Sequence, residues 1–151
     1  MPTDLSVPVI SHAIQLAVAP VFLLTGVATL MGVMATRLAR IVDRARMIEE
    51  KWPGYDKHER ADGVAEMRNL ERRRHWASWS INFCTCAALL VCVVISALFV
   101  EAFFAVDLKW LAGALFVAVM VALIGGLACF AREVYLATLT LQFDVAKFEE
   151  E

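Results

Sequence analysis

The stretch Arg37–His75, RLARIVDRARMIEEKWPGYDKHERADGVAEMRNLERRRH, decides the fold. It holds eleven of the fourteen Lys and Arg residues and eight of the sixteen acidic ones. On either side lie uncharged runs, Leu5–Thr36 and Trp76–Val100, each long enough to cross a bilayer. About 20 apolar residues span the roughly 30 Å of hydrocarbon. Basic loops are retained in the cytoplasm, so this stretch also predicts which way the chain faces.

Working outward, the apolar runs give three predicted spans, about residues 7–35, 76–104 and 110–131. The expected architecture is an all-α membrane protein forming a single membrane domain, residues 1–151. A cytoplasmic helical hairpin (37–75) joins the first two spans, and a C-terminal cytoplasmic helix (132–151) follows the third. The N-terminus is then outside and the C-terminus cytoplasmic, as expected in a bacterial inner membrane. Trp76 and Trp79, and Trp110 at the other boundary, stand where aromatic belts form. The short connection from Ala105 to Lys109 makes the second and third spans an antiparallel hairpin. Overall, 60% of the 151 residues are hydrophobic, against roughly 45–50% in soluble domains.

Within the charged stretch, Leu38, Ile41, Val42, Ala45 and Ile48 keep a helical period, which predicts that the first span continues as a helix. Trp52-Pro53-Gly54-Tyr55 predicts a turn. Asp56 followed by Glu59 predicts a capping pair opening a second helix, with Val64, Met67 and Leu70 on its apolar face and Gly63 weakening it. After the third span, Val134, Leu141, Val145 and Phe148 predict a further amphipathic helix, ending in the acidic run Glu149, Glu150, Glu151.

On the first span His12, Gln15, Ala19, Phe22, Gly26, Thr29, Val33 and Thr36 share one side, and Arg37, Arg40 and Arg44 extend it. Polar groups are unfavourable against acyl chains, so this side is expected to meet protein or water. One expectation is a helix contact within or between subunits. The sharper one is a homo-oligomer with an ion-conducting pore lined by this span, with polar rings at His12 and Gln15, a narrowing at Phe22 and a basic mouth at Arg37 and Arg40. Pro20 lacks the N–H that would bond Leu16, marking a bend and a hinge candidate. On the third span Ala114, Ala118, Ala122 and Gly126 form a small-residue ridge. Cys84, Ala88, Cys92 and Ser96 form another on the second, and the two ridges are expected to pack together. Asn82 is expected to bond across a helix interface.

The residues also exclude several classes. Cys84, Cys86, Cys92 and Cys129 all fall in apolar runs without metal-ligand spacing. His12, His58 and His75 lie apart, and no nucleophile–base pair or phosphate loop is present, so no enzyme activity, cofactor or metal is expected. No acidic or basic residue falls at mid-membrane; Glu101 and Asp107 lie near a boundary. This counts against a proton relay. Mixed charge in the hairpin counts against nucleic acid. Expected partners are the lipid bilayer, other copies of the chain, and anionic lipid or ions. The alternative function is a structural or regulatory subunit that binds a partner protein through its cytoplasmic helices.

The run PVFLLTGVATLMGVMATRLARIVDRAR, Pro20–Arg46, resembles the bacterial membrane family called Domain of Unknown Function 2721. The segment carrying Arg40, Asp43, Arg44 and Arg46 holds most of the likeness, and Glu71–Trp76 (ERRRHW) fits the same pattern. The resemblance implies a small three-span inner-membrane protein and no assigned activity. Asp43 lies three residues from both Arg40 and Arg46, within reach of either on adjacent helical turns.

Overall fold

The computed structural model describes the backbone of residues 6–104 and 107–148, and side-chain burial for 11–104 and 107–138. Among the described residues there are helices and no strands: α1 (Ser6–Lys51), a 3-10 turn (Trp52–Gly54), α2 (Lys57–Phe104) and α3 (Lys109–Phe148). All three helices are long and apolar enough to cross a membrane. Each is longer than the corresponding span, because the helical period of the charged flanks runs on from the apolar part without a break. For α3 this corrects the expectation of a separate helix after residue 131. No Gly or Pro follows Gly126, so nothing interrupts the backbone ladder through Arg132. Leu141, Val145, Phe148 and Glu149–Glu151 lie outside the residues whose side chains are described, as does Ala105.

The turn between α1 and α2 is built locally. Tyr55 N–H donates to Trp52 O at 3.3 Å, and Tyr55 itself is extended. The capping pair forms by half: Asp56 N–H donates to Glu59 Oε2 at 2.9 Å, while Asp56 Oδ1 accepts from Lys57 N–H at 2.7 Å. Gly63 is buried under the Trp52–Tyr55 ring pair, where a Cβ would come within 3.2–3.3 Å of the rings. Its absent side chain makes room for the turn.

Buried positions repeat every seven residues along each helix. On α1 they are Val27, Met34, Ile41 and Ile48; on α2 Leu70, Ala77, Cys84 and Val91, with Ser80, Ala87 and Val94 beside them; on α3 Ala112, Val119, Gly126 and Glu133. A seven-residue repeat is the spacing of knobs-into-holes helix packing. This seam replaces the expected small-residue ridges. Gly126 is buried, but Ala122 is half-buried and Ala114 and Ala118 are exposed; Cys84 is buried while Cys92 and Ser96 are exposed. A seven-residue periodicity leaves a strict four-residue ridge after two turns, so only one member of each ridge stays on the seam.

The chain divides into two compact units, one of Met1–Met31 with Phe83–Gly125, the other of Gly32–Asn82 with Gly126–Glu151. The first packs through small residues: Ala13, Ala17, Ala87 and Ala112 are buried, whereas Phe22, Leu89, Phe103, Trp110 and Ile124 are exposed. Phe83 against Gly125 sets α2 and α3 antiparallel there. The second unit has a conventional apolar core of Ile41, Ile48, Leu70 and Ala77, with Leu38, Ala45, Tyr55 and Met67 against it. This core joins the antiparallel ends of α1 and α2.

Candidate functional site

In the charged unit, three helices converge on Glu133, whose side chain is 1% exposed. The α3 seam brings it inward, at the position that Gly126 and Val119 hold one and two heptads earlier. Arg73 of α2 donates from Nη2 (3.0 Å) and Nε (3.3 Å) to Glu133 Oε1. Arg37 of α1 brings Nε to 3.0 Å from Oε2. That second contact is an ion pair without hydrogen-bond alignment, so Oε2 is left without a hydrogen bond. Arg37 also lies over the Phe130 ring, 5.5 Å from its centroid. A buried carboxylate is costly without counter-charge, and two guanidinium groups offset that cost.

Seven residues beyond Arg73, Ser80 is fully buried and donates from Oγ to the carbonyl of Gly126, seven residues before Glu133, at 2.9 Å, with Met34 Sδ 3.1 Å away. The same three helices are therefore linked twice, once by charge and once by a hydroxyl. In the hairpin part of this unit Arg44 pairs with Glu66 at 2.7 Å. Among the described residues Asp43 forms no ion pair with Arg40 or Arg46, and all three are exposed. Glu71 and Arg74 pair at 2.7 Å on the surface. The hydrogen bond from Arg74 holds the Glu71 carboxyl below its ordinary range, and the same bond raises Arg74.

A second feature belongs to α1 and concerns the predicted polar side. His12, Gln15, Phe22, Gly26, Thr29 and Thr36 are all exposed, on the side turned from the seam. A helix contact within the chain is therefore not what this side serves. Its hydroxyls are internally satisfied: Thr29 Oγ1 donates to Thr25 O at 3.0 Å and Thr36 Oγ1 to Gly32 O at 2.9 Å. Such a threonine can face acyl chains cheaply, which leaves Gln15 and His12 as the polar groups of consequence. Nothing lies within 4 Å of a Cβ built on Gly26. Phe22 borders an apolar cavity of about 360 Å³ with Ile14, Val18, Val21, Ile95 and Phe99. Pro20 is buried on the seam within an unbroken α1. On α2, Asn82 is exposed and, among the described residues, has no hydrogen-bond partner, unlike the cross-helix bond expected of it.

Sequence reading missed Glu133 and Ser80 as site residues, and Arg73 as the partner of a buried acid. The signal that could have found them is the heptad: Arg73 precedes Ser80 and Ala87 by seven and fourteen residues, and Glu133 follows Val119 and Gly126 likewise.

Three helices long and apolar enough to cross a membrane, with, among the described residues, a buried carboxylate held by two arginines, define a small all-helical protein of membrane type. Residues 17–143 match the family described as protein of unknown function (DUF2721), and the chain belongs to that family. No curated protein and no solved structure matches the chain.

Proposed function

We propose that this chain is a small inner-membrane protein that assembles with copies of itself through the uncovered side of α1, its N-terminus outside and its C-terminus cytoplasmic. The exposure of Gln15 on the uncovered side of α1, within a segment apolar enough to cross a membrane, carries this reading. A primary amide left in acyl chains is unfavourable, whereas another helix or water satisfies it. Gly26 on the same side, with open space around it, and the exposed Ala114 and Ala118 on α3 provide the small surfaces on which transmembrane helices approach closely. Only 17%, 22% and 17% of the three apolar stretches is buried within the chain, so ample surface remains for such contacts. In the assembly, His12 and Gln15 form polar rings along an ion-conducting path lined by α1. Arg37 and Arg40 stand at its cytoplasmic mouth, and Pro20 supplies the bend at which it opens.

Native mass spectrometry of the detergent-extracted protein, paired with ion flux in liposomes, tests this. The expected result is a single oligomeric species that Gly26→Phe disrupts, with Gln15→Leu changing conductance and leaving subunit number intact. A monomer, with Gln15 reporting lipid contact by spin label, overturns the assembly; an oligomer without flux overturns the pore alone.

A second reading rests on a different observation. A cavity of about 590 Å³ opens between the ends of α1 and α2, lined by Glu49, Trp52, Val64, Met67, Arg68 and Glu71. Its apolar floor and charged rim suit a regulatory subunit that docks a partner protein's helix. Co-purification of a partner, lost on Met67→Asp, distinguishes this role from the pore.

A further inference from the structure

We infer that Arg37 and Arg40 hold the phosphate of an anionic membrane lipid, with Glu133 and Phe130 setting the guanidinium of Arg37 for that purpose. Arg37 is the first charged residue after the apolar part of α1, and Glu133 follows the apolar part of α3 by two positions. Their contact therefore lies where an apolar segment gives way to charge on two helices at once, which is the headgroup level of a bilayer. Trp79, exposed, and Trp76, half-buried, flank the same boundary on α2, as interfacial aromatics do.

Arg37 meets Glu133 through Nε alone, and its side chain is 34% exposed. Among the described residues its two terminal nitrogens have no hydrogen-bond partner. The plane of the guanidinium is nevertheless constrained, by the carboxylate on one edge and the Phe130 ring below. A fixed guanidinium fork with an open edge is the geometry that takes two oxygens of one phosphate. Arg40 is exposed and unpaired one turn further along α1, about 4.5 Å by helical rise. Helical side chains lean toward the N-terminus, so Arg40 reaches back toward the level of Arg37.

The charge at this boundary is unbalanced. Among the described residues Arg72 and Arg132, like Arg40, are exposed without an ion pair, against one unpaired acid, Asp43, because Glu71 and Glu133 are already paired. The bound lipid comes from the surrounding leaflet in a monomer and from between subunits in an oligomer, so the inference does not depend on assembly.

Lipid retention by the purified full-length protein tests it, using native mass spectrometry after exchange into mixed phosphatidylglycerol and phosphatidylcholine micelles. Preferential retention of phosphatidylglycerol is expected, reduced about fivefold by Arg40→Gln, which corresponds to one basic group near a membrane surface. Arg46→Gln, two turns further from the boundary, should leave retention unchanged. Glu133→Gln raises the net charge by one yet should weaken retention, because Arg37 loses its anchor. Equal losses for Arg40→Gln and Arg46→Gln, or no preference between the two lipids, overturn the site. Tighter binding by Glu133→Gln overturns the role of Glu133.

Discussion

The two compact units solve the packing problem in opposite ways. The unit of Met1–Met31 and Phe83–Gly125 buries alanines and valines and turns Phe22, Leu89, Phe103 and Ile124 outward. The unit of Gly32–Asn82 and Gly126–Glu151 buries isoleucine, leucine and methionine and, among its described residues, turns most charged side chains outward, with Glu133 the buried exception. Each buries positions at seven-residue spacing, so the difference lies in the solvent each expects. Burial of large apolar side chains is favourable only when the alternative is water. Where the alternative is an acyl chain, close backbone approach between small residues becomes the main source of attraction.

The sharpest way to break this contrast is Glu133→Ala. It leaves the guanidinium groups of Arg37 and Arg73 facing each other without their carboxylate. Removing one partner from a buried pair costs about 3–5 kcal/mol. Both arginines keep some access to solvent, at 34% and 21% side-chain exposure, so we expect about 3 kcal/mol, read as lowered thermal stability in detergent. Arg73→Met should lose less than this, because Arg37 still faces the acid.

A second test inverts the usual rule for cores. Ala87 is fully buried and Leu89 is mostly exposed, two residues apart on α2. We expect Ala87→Leu to destabilise by about 2 kcal/mol through overpacking. Leu89→Ala should change stability by less than about 0.5 kcal/mol. Comparable losses from both would remove the distinction between the units.

The smallest effect concerns the charged surface. The carboxyl of Glu71 is lowered by its hydrogen bond to Arg74. Any stabilisation from this shift is present above the carboxyl's unfolded value and is lost as pH falls through the folded one. The pair is fully exposed and screened by solvent. Arg74→Gln should therefore return Glu71 to the ordinary carboxylate range in an NMR titration while leaving the melting temperature unchanged.

Much of this molecule can be read along the chain, because the decisive signals are local. Uncharged runs of spanning length, the Trp52–Tyr55 turn and the Asp56–Glu59 pair each depend on neighbours within a few residues. The partner of a helix face does not. Gln15 and Thr29 could be seen to share a side, but whether that side is packed depends on which face of α1 meets α2 and α3. The small-residue ridge on α3 shows the same dependence: Ala114 and Ala118 favour close contact, yet within the chain the buried positions beside them are Val119 and Leu123.

Composition and periodicity alone determined that the chain is helical, that three segments suit a bilayer, and where the Trp52–Tyr55 turn falls, since hydrophobicity and backbone propensity act over short range. Only the tertiary structure decided that Glu133 is the buried acid, that Arg37 and Arg73 hold it, and that the hydrophilic side of α1 is left uncovered. Those outcomes depend on the rotation of each helix about its axis. Contacts between residues as many as 96 positions apart, Arg37 to Glu133, choose that rotation, and no local stretch encodes it.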